Sequence, residues 1–79
     1  MKVTVQLFGP LAEQAGRPRL EVVVSEPTVR SVLAAVAVAA PQLRLDRSVR
    51  CAVGTDYAGP DARVGEGDVV SLIPPVGGG

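Results

Sequence analysis

The sequence predicts an α+β fold, a mixed sheet with one main helix packed on one of its faces. Three observations carry that prediction. Short runs of alternating or β-branched apolar residues recur towards both ends of the chain. A single apolar stripe at helical spacing lies between them, and Gly or Pro marks most of the junctions.

The elements follow in order. In KVTVQLF, residues 2–8, Val3, Val5 and Leu7 alternate with Thr4, Gln6 and Phe8, which is the period of a strand. Gly9-Pro10 ends it, and LAEQAG, residues 11–16, fits one helical turn closed by Gly16. RLEVVV, Arg19 to Val24, is rich in β-branched residues and predicts a second strand. After Pro27, Thr28 is placed to cap a helix, because its hydroxyl can accept from an amide of the first turn. Val29, Val32, Leu33, Val36 and Ala40 then share one helical face, and Pro41 stops the run. SVRCAV, residues 48–53, predicts a third strand, and GTDYAGPD, residues 54–61, a turn-rich excursion. GEGD, residues 65–68, is a tight turn that feeds a last strand, VVSLI, residues 69–73. Strand, strand, helix, strand, strand, with a right-handed crossover through the helix, is the β-grasp pattern. It divides the chain into a domain, residues 1–73, and an extended Gly-Gly tail, residues 74–79.

Composition narrows the function. Seventy-nine residues make one domain near the lower size limit for folding without staples. Eight basic and eight acidic residues cancel and are spread along the chain. With no basic block, and only Phe8 and Tyr57 aromatic, no nucleic-acid partner is expected. Cys51 stands alone and histidine is absent. Neither a disulfide framework nor the commonest general base and zinc ligand is then at hand. The first residues alternate instead of forming the apolar run of a signal peptide. Val32 to Ala40, the longest mostly apolar stretch, is too short to cross a bilayer. A soluble cytoplasmic protein with no membrane partner is expected.

Side-chain chemistry offers little. Cys51 lies among apolar neighbours in a predicted strand, the setting of an inert buried thiol. Glu66 and Asp68 could in principle hold a hard cation, but turn chemistry accounts for both, and no metal site is expected. GPDARVGEGD, residues 59–68, lacks the lysine of a phosphate loop. No catalytic side chain emerges.

The terminus is different, because its reactive group is the α-carboxylate of Gly79. Gly77, Gly78 and Gly79 carry no Cβ, so they can thread a channel barely wider than a peptide backbone. Pro74 and Pro75 fix φ and stiffen the root, which reduces the ordering cost of binding. From Pro74 the chain could span roughly 20 Å at about 3.3–3.6 Å per residue. A frayed end is the alternative, but fraying gives no reason for Pro-Pro ahead of a glycine run.

GEGDVVSLIPPVGGG resembles the C-terminus of the small subunit of molybdopterin synthase, the MoaD-like sulfur carriers. The shared pattern is an acidic Gly turn, a hydrophobic strand, Pro-Pro-Val, a variable residue (Gly77 here) and a final Gly-Gly. VQLFGPLAEQAG and PTVRSVL extend the resemblance over nearly the whole chain at lower density. It implies a ubiquitin-like β-grasp co-substrate with no bound cofactor. An E1-like adenylyltransferase would use ATP to adenylate Gly79, and a sulfur donor protein would supply the sulfur of a terminal thiocarboxylate. The large subunit of molybdopterin synthase would pass that sulfur to cyclic pyranopterin monophosphate in molybdenum cofactor biosynthesis. Pro74, Pro75, Val76, Gly77 and Gly78 would form the inserted segment.

One departure is Val53-Gly54, where relatives commonly show Val-Asn. A thiamine-pathway sulfur carrier, a ubiquitin-like protein modifier joined to lysines through Gly79, and a plain binding module are the alternatives. Parity suggests the docking face. If Val3, Val5 and Leu7 face the helix, Phe8 lies on the outer side of the sheet, and Phe8, Tyr57 and Ile73 are the partner-binding candidates.

Overall fold

The computed structural model describes residues 1–75, and residues 76–79 lie outside that description. Its elements in chain order are β1 (Lys2–Leu7), α1 (Pro10–Ala15), β2 (Arg19–Val23), α2 (Val29–Ala39), β3 (Arg50–Val53), β4 (Asp56–Tyr57) and β5 (Val69–Ile73). The five strands form one sheet in the order β2-β1-β5-β3-β4. β1 pairs antiparallel with β2 and parallel with β5, and β5 pairs antiparallel with β3. The sheet is therefore mixed, as the sequence predicts. β5, the strand from which the tail departs, is central and held on both sides.

The core lies between α2 and one face of this sheet. Alternation puts Val3, Val5 and Leu7 on the inner face, where they are buried with Leu20, Val22, Val70 and Leu72. Val29, Val32 and Val36 of α2 meet them and are equally buried. Valine is a modest helix former, but burial outweighs the loss at these positions, since each fully buried valine contributes about 1.5–3 kcal/mol. Leu33, from the same stripe, is only partly buried at the rim of the core. α2 is capped as expected, with Thr28 Oγ1 accepting from the Ser31 amide at 3.3 Å.

Two departures from the expected elements have identifiable reasons. β3 begins at Arg50, because an Asp46–Ser48 turn occupies the residues before it. There Asp46 Oδ1 accepts from the Ser48 amide at 2.9 Å and from the Ser48 hydroxyl, and Val49 N–H donates to the Asp46 carbonyl at 3.1 Å. Inside the excursion the structure finds β4, a two-residue strand paired with β3 through Ala52↔Tyr57 and Val53↔Asp56. Gly54 and Thr55 are the two residues of that hairpin loop, and Gly54 has φ +62°. That left-handed φ suits glycine and is tolerated by asparagine, so the Gly54 departure is compatible with the same hairpin loop.

Candidate docking site at the tail root

The outer face of the sheet is built row by row from its register. Tyr57 stands opposite Ala52, Ala52 opposite Ser71, and Ser71 beside Gln6. One row further along, Arg50 stands opposite Ile73, the last residue of β5. Phe8 follows Leu7, the partner of Leu72, so it reaches the same row from β1. Ala52 and Ser71 are small and leave a shallow floor between larger side chains. The result is a hollow of ≈ 270 Å³ with Phe8 and Ile73 on one side and Tyr57, Gly54 and Thr55 on the other.

A second hollow of ≈ 340 Å³ adjoins it, lined by Phe8, Ile73, Pro74 and Pro75. Phe8 and Ile73 belong to both, so the three predicted surface residues lie in one apolar region that continues onto the prolines. Phe8 is 41% exposed and Tyr57 70%, while Ile73 is half-buried between them. The Arg50 guanidinium lies 6.0 Å from the centre of the Tyr57 ring, within range of cation–π attraction. Val76, Gly77, Gly78 and Gly79 fall outside the described residues.

Gly9 is the site residue that sequence reasoning missed. It has φ +52° and ψ −128°, a conformation largely closed to residues with a Cβ. It turns the chain from β1 into α1, with Pro10 at the first helical position. A Cβ at Gly9 would lie 3.7 Å from Pro74 Cγ, so this turn packs directly beside the tail root. The Gly-Pro pair at the end of a strand was the available signal, and it reads only as a stop.

The other candidate groups have structural roles or none visible here. Cys51 is on the inner face of β3, opposite Leu72, and burial pushes its thiol up from the ordinary range. That favours the protonated, unreactive form at neutral pH. Asp68 closes the turn before β5, its Oδ2 accepting from the Gly65 amide at 2.7 Å. Among the described residues no group of three or more His, Cys, Asp or Glu side chains is placed to hold a metal. No helix of the described residues is long and apolar enough to cross a membrane.

A mixed five-stranded sheet with a helix across one face, and a tail leaving its central strand beside an apolar patch, defines a ubiquitin-like β-grasp domain. Residues 5–79 match the ThiS family, and the chain belongs to it. Solved structures agree. SAMP1 from Haloferax volcanii superposes with a TM-score of 0.88 at 28% identity, over 100% of both chains. A putative molybdopterin converting factor subunit 1 from Pyrococcus furiosus gives 0.81 at 27% identity, over 95% of this chain and 98% of that one. A chain of the BexX/CysO complex from Amycolatopsis orientalis gives 0.71 at 25% identity, over 98% and 99%. The protein is a sulfur carrier of the ThiS/MoaD type or a ubiquitin-like modifier.

Proposed function

We propose that this chain is the sulfur-carrying small subunit of a molybdopterin synthase. The observation that carries the reading is the Pro74-Pro75 root, set in an apolar patch at the end of the central strand and followed by Val-Gly-Gly-Gly. Family membership and the likeness to molybdopterin converting factor subunit 1 support it. An E1-like adenylyltransferase joins the Gly79 carboxylate to the AMP of ATP and releases pyrophosphate. Sulfur from a donor protein then displaces AMP, leaving a thiocarboxylate. Docked on the large synthase subunit, Gly79 yields that sulfur to cyclic pyranopterin monophosphate. Phe8, Tyr57 and Ile73 hold the domain against each partner, and Pro74 to Gly78 reach into its active site. The chain's own contribution is position: it presents a carboxyl group with no side chain beside it.

A second reading has its own support. The likeness to SAMP1, a small archaeal modifier protein, favours joining of Gly79 to lysine amines of other proteins. Both readings begin with adenylation and part at the acceptor. Reconstitution with the activating enzyme, sulfur donor, large subunit and cyclic pyranopterin monophosphate decides between them. The proposal expects molybdopterin with the native chain and none when one residue is added after Gly79. Product from the extended chain would refute it, and recovery of Gly79 only in amide linkage to lysines would assign the modifier role instead.

A further inference from the structure

Arginines gather at the tail-root end of the sheet, although the chain is formally neutral. At the tail-root end, Arg50 stands opposite Ile73 and Arg19 opposite Gln6. Arg17 precedes Pro18, whose carbonyl accepts from Leu7 N–H at 2.8 Å. Arg44 is tied to α1 by its own amide, which donates to Gln14 Oε1 at 3.1 Å. Arg47 lies in the turn that runs into β3. All five arginines are exposed.

Among the described residues Glu13 and Asp46 oppose them at that end, and Glu21 shares a hollow with Arg17. Asp46 is engaged by Ser48, whose hydroxyl and amide, with Arg44 nearby, hold its carboxyl below the usual carboxylate range. The two ion pairs among the described residues, Lys2–Glu21 and Arg30–Asp61, use none of the five. The opposite end carries both signs. The β3–β4 hairpin and the turn before β5 place Asp56, Glu66 and Asp68 there, and Glu26 follows β2. Lys2, the N-terminal amine and Arg63 lie at the same end.

We infer that the tail-root end is a cationic docking collar for a partner protein whose apolar socket is rimmed by carboxylates. The centre of the contact is the hollow of Phe8, Ile73, Pro74 and Pro75. Arg50, opposite Ile73, stands beside it, and the other four arginines lie at the same end of the sheet. An apolar centre with a charged rim is the anatomy of a protein–protein contact, whereas a nucleic acid would meet only the rim. Each arginine offers a planar fork that matches a carboxylate at two points, which a lysine ammonium does not. The gathering of arginines at the tail-root end also orients the domain in the field of an acidic partner. The end that carries the tail then leads the encounter, which raises the association rate more than the final affinity. This inference rests on the reading that Gly79 is presented to an activating enzyme, and it adds what that enzyme's docking surface must be.

The test uses the full chain and the E1-like enzyme from the same genome. ATP–pyrophosphate exchange and association rate are measured across a range of salt concentrations. Arg47→Glu with Arg50→Glu is compared with Arg63→Glu away from the collar, after circular dichroism confirms that each folds. The collar pair is expected to slow association about ten-fold or more at low salt, with the difference fading as salt screens it. Arg63→Glu is expected to match the native rate. Exchange by the native chain at a rate indifferent to salt and to the collar substitutions would overturn the collar alone. Absence of exchange with the native chain would overturn the activation reading and this inference with it. Binding of single-stranded RNA, abolished by the same substitutions while exchange is untouched, would assign the collar to nucleic acid and overturn protein docking.

Discussion

Gly9 and Cys51 show two kinds of single-residue role, one at the turn beside the tail root and one in the core, and neither belongs to the proposed chemistry. At Gly9 the obstacle to a side chain is the backbone, not space, because 3.7 Å from Pro74 Cγ is ordinary contact. Gly9→Ala must hold an alanine at φ +52°, at a cost of about 1–3 kcal/mol, measurable as a lower urea midpoint with an unchanged slope. An unchanged midpoint would show that the turn relaxes freely. Cys51 has the opposite character, a side chain that the core uses and the proposed chemistry leaves alone. Its folded thiol holds its proton more tightly than an unfolded one. The stability linked to that proton is therefore complete at neutral pH and declines as pH rises above the thiol's ordinary range. Cys51→Ala is expected to accept sulfur like the native chain, with a modest fall in stability from lost packing. A folded Cys51→Ala chain that no longer carries sulfur would contradict a thiocarboxylate on Gly79.

At the scale of elements, α2 depends on one visible cap. Thr28→Ala removes the acceptor for the Ser31 amide and is expected to cost about 1 kcal/mol in urea unfolding. Thr28 is bridged to Arg63, away from the tail root, so sulfur acceptance should not change. A loss of sulfur acceptance in the folded variant would mean that α2 influences the tail. The same element shows why so much of the fold was legible. Burial on one side imposes a period, and α2, β1 and β5 each span enough residues to display it. β4 spans two residues, too few for any period, and only the Gly54-Thr55 loop pointed to it. β3 loses Ser48 and Val49 to a local Asp46–Ser48 turn that competes with strand pairing. Phe8 was legible as a surface residue because alternation carries over from Leu7. The company it keeps with Tyr57 and Ile73 depends on β5 lying between β1 and β3. The proposed arginine collar was hidden for the same reason: residues distant in sequence come to one end of the sheet only once the strand order is set.

At the scale of the whole molecule, the pairing of β5 on both sides fixes where the tail begins. The domain's apolar patch and the tail root share one end, so under the proposed function a partner that receives Gly79 covers Phe8 and Ile73. Phe8→Asp and Ile73→Asp each place a charge without a partner in the centre of that contact. Each is expected to weaken binding to both the activating enzyme and the large synthase subunit by about 2 kcal/mol or more. Competition between the two partners for the native chain follows from the shared surface. Unchanged titrations with folded variants would move the docking surface elsewhere. The central claim is that sulfur travels on the terminal carbonyl carbon of Gly79, and intact-mass spectrometry tests it most directly. The chain is incubated with ATP, its activating enzyme and its sulfur donor, then fragmented to locate any change. The expected result is replacement of one oxygen by sulfur, confined to Gly79 and unaffected by Cys51→Ala. A chain that gains sulfur on Cys51, or gains none while the activating enzyme turns over ATP, would contradict it.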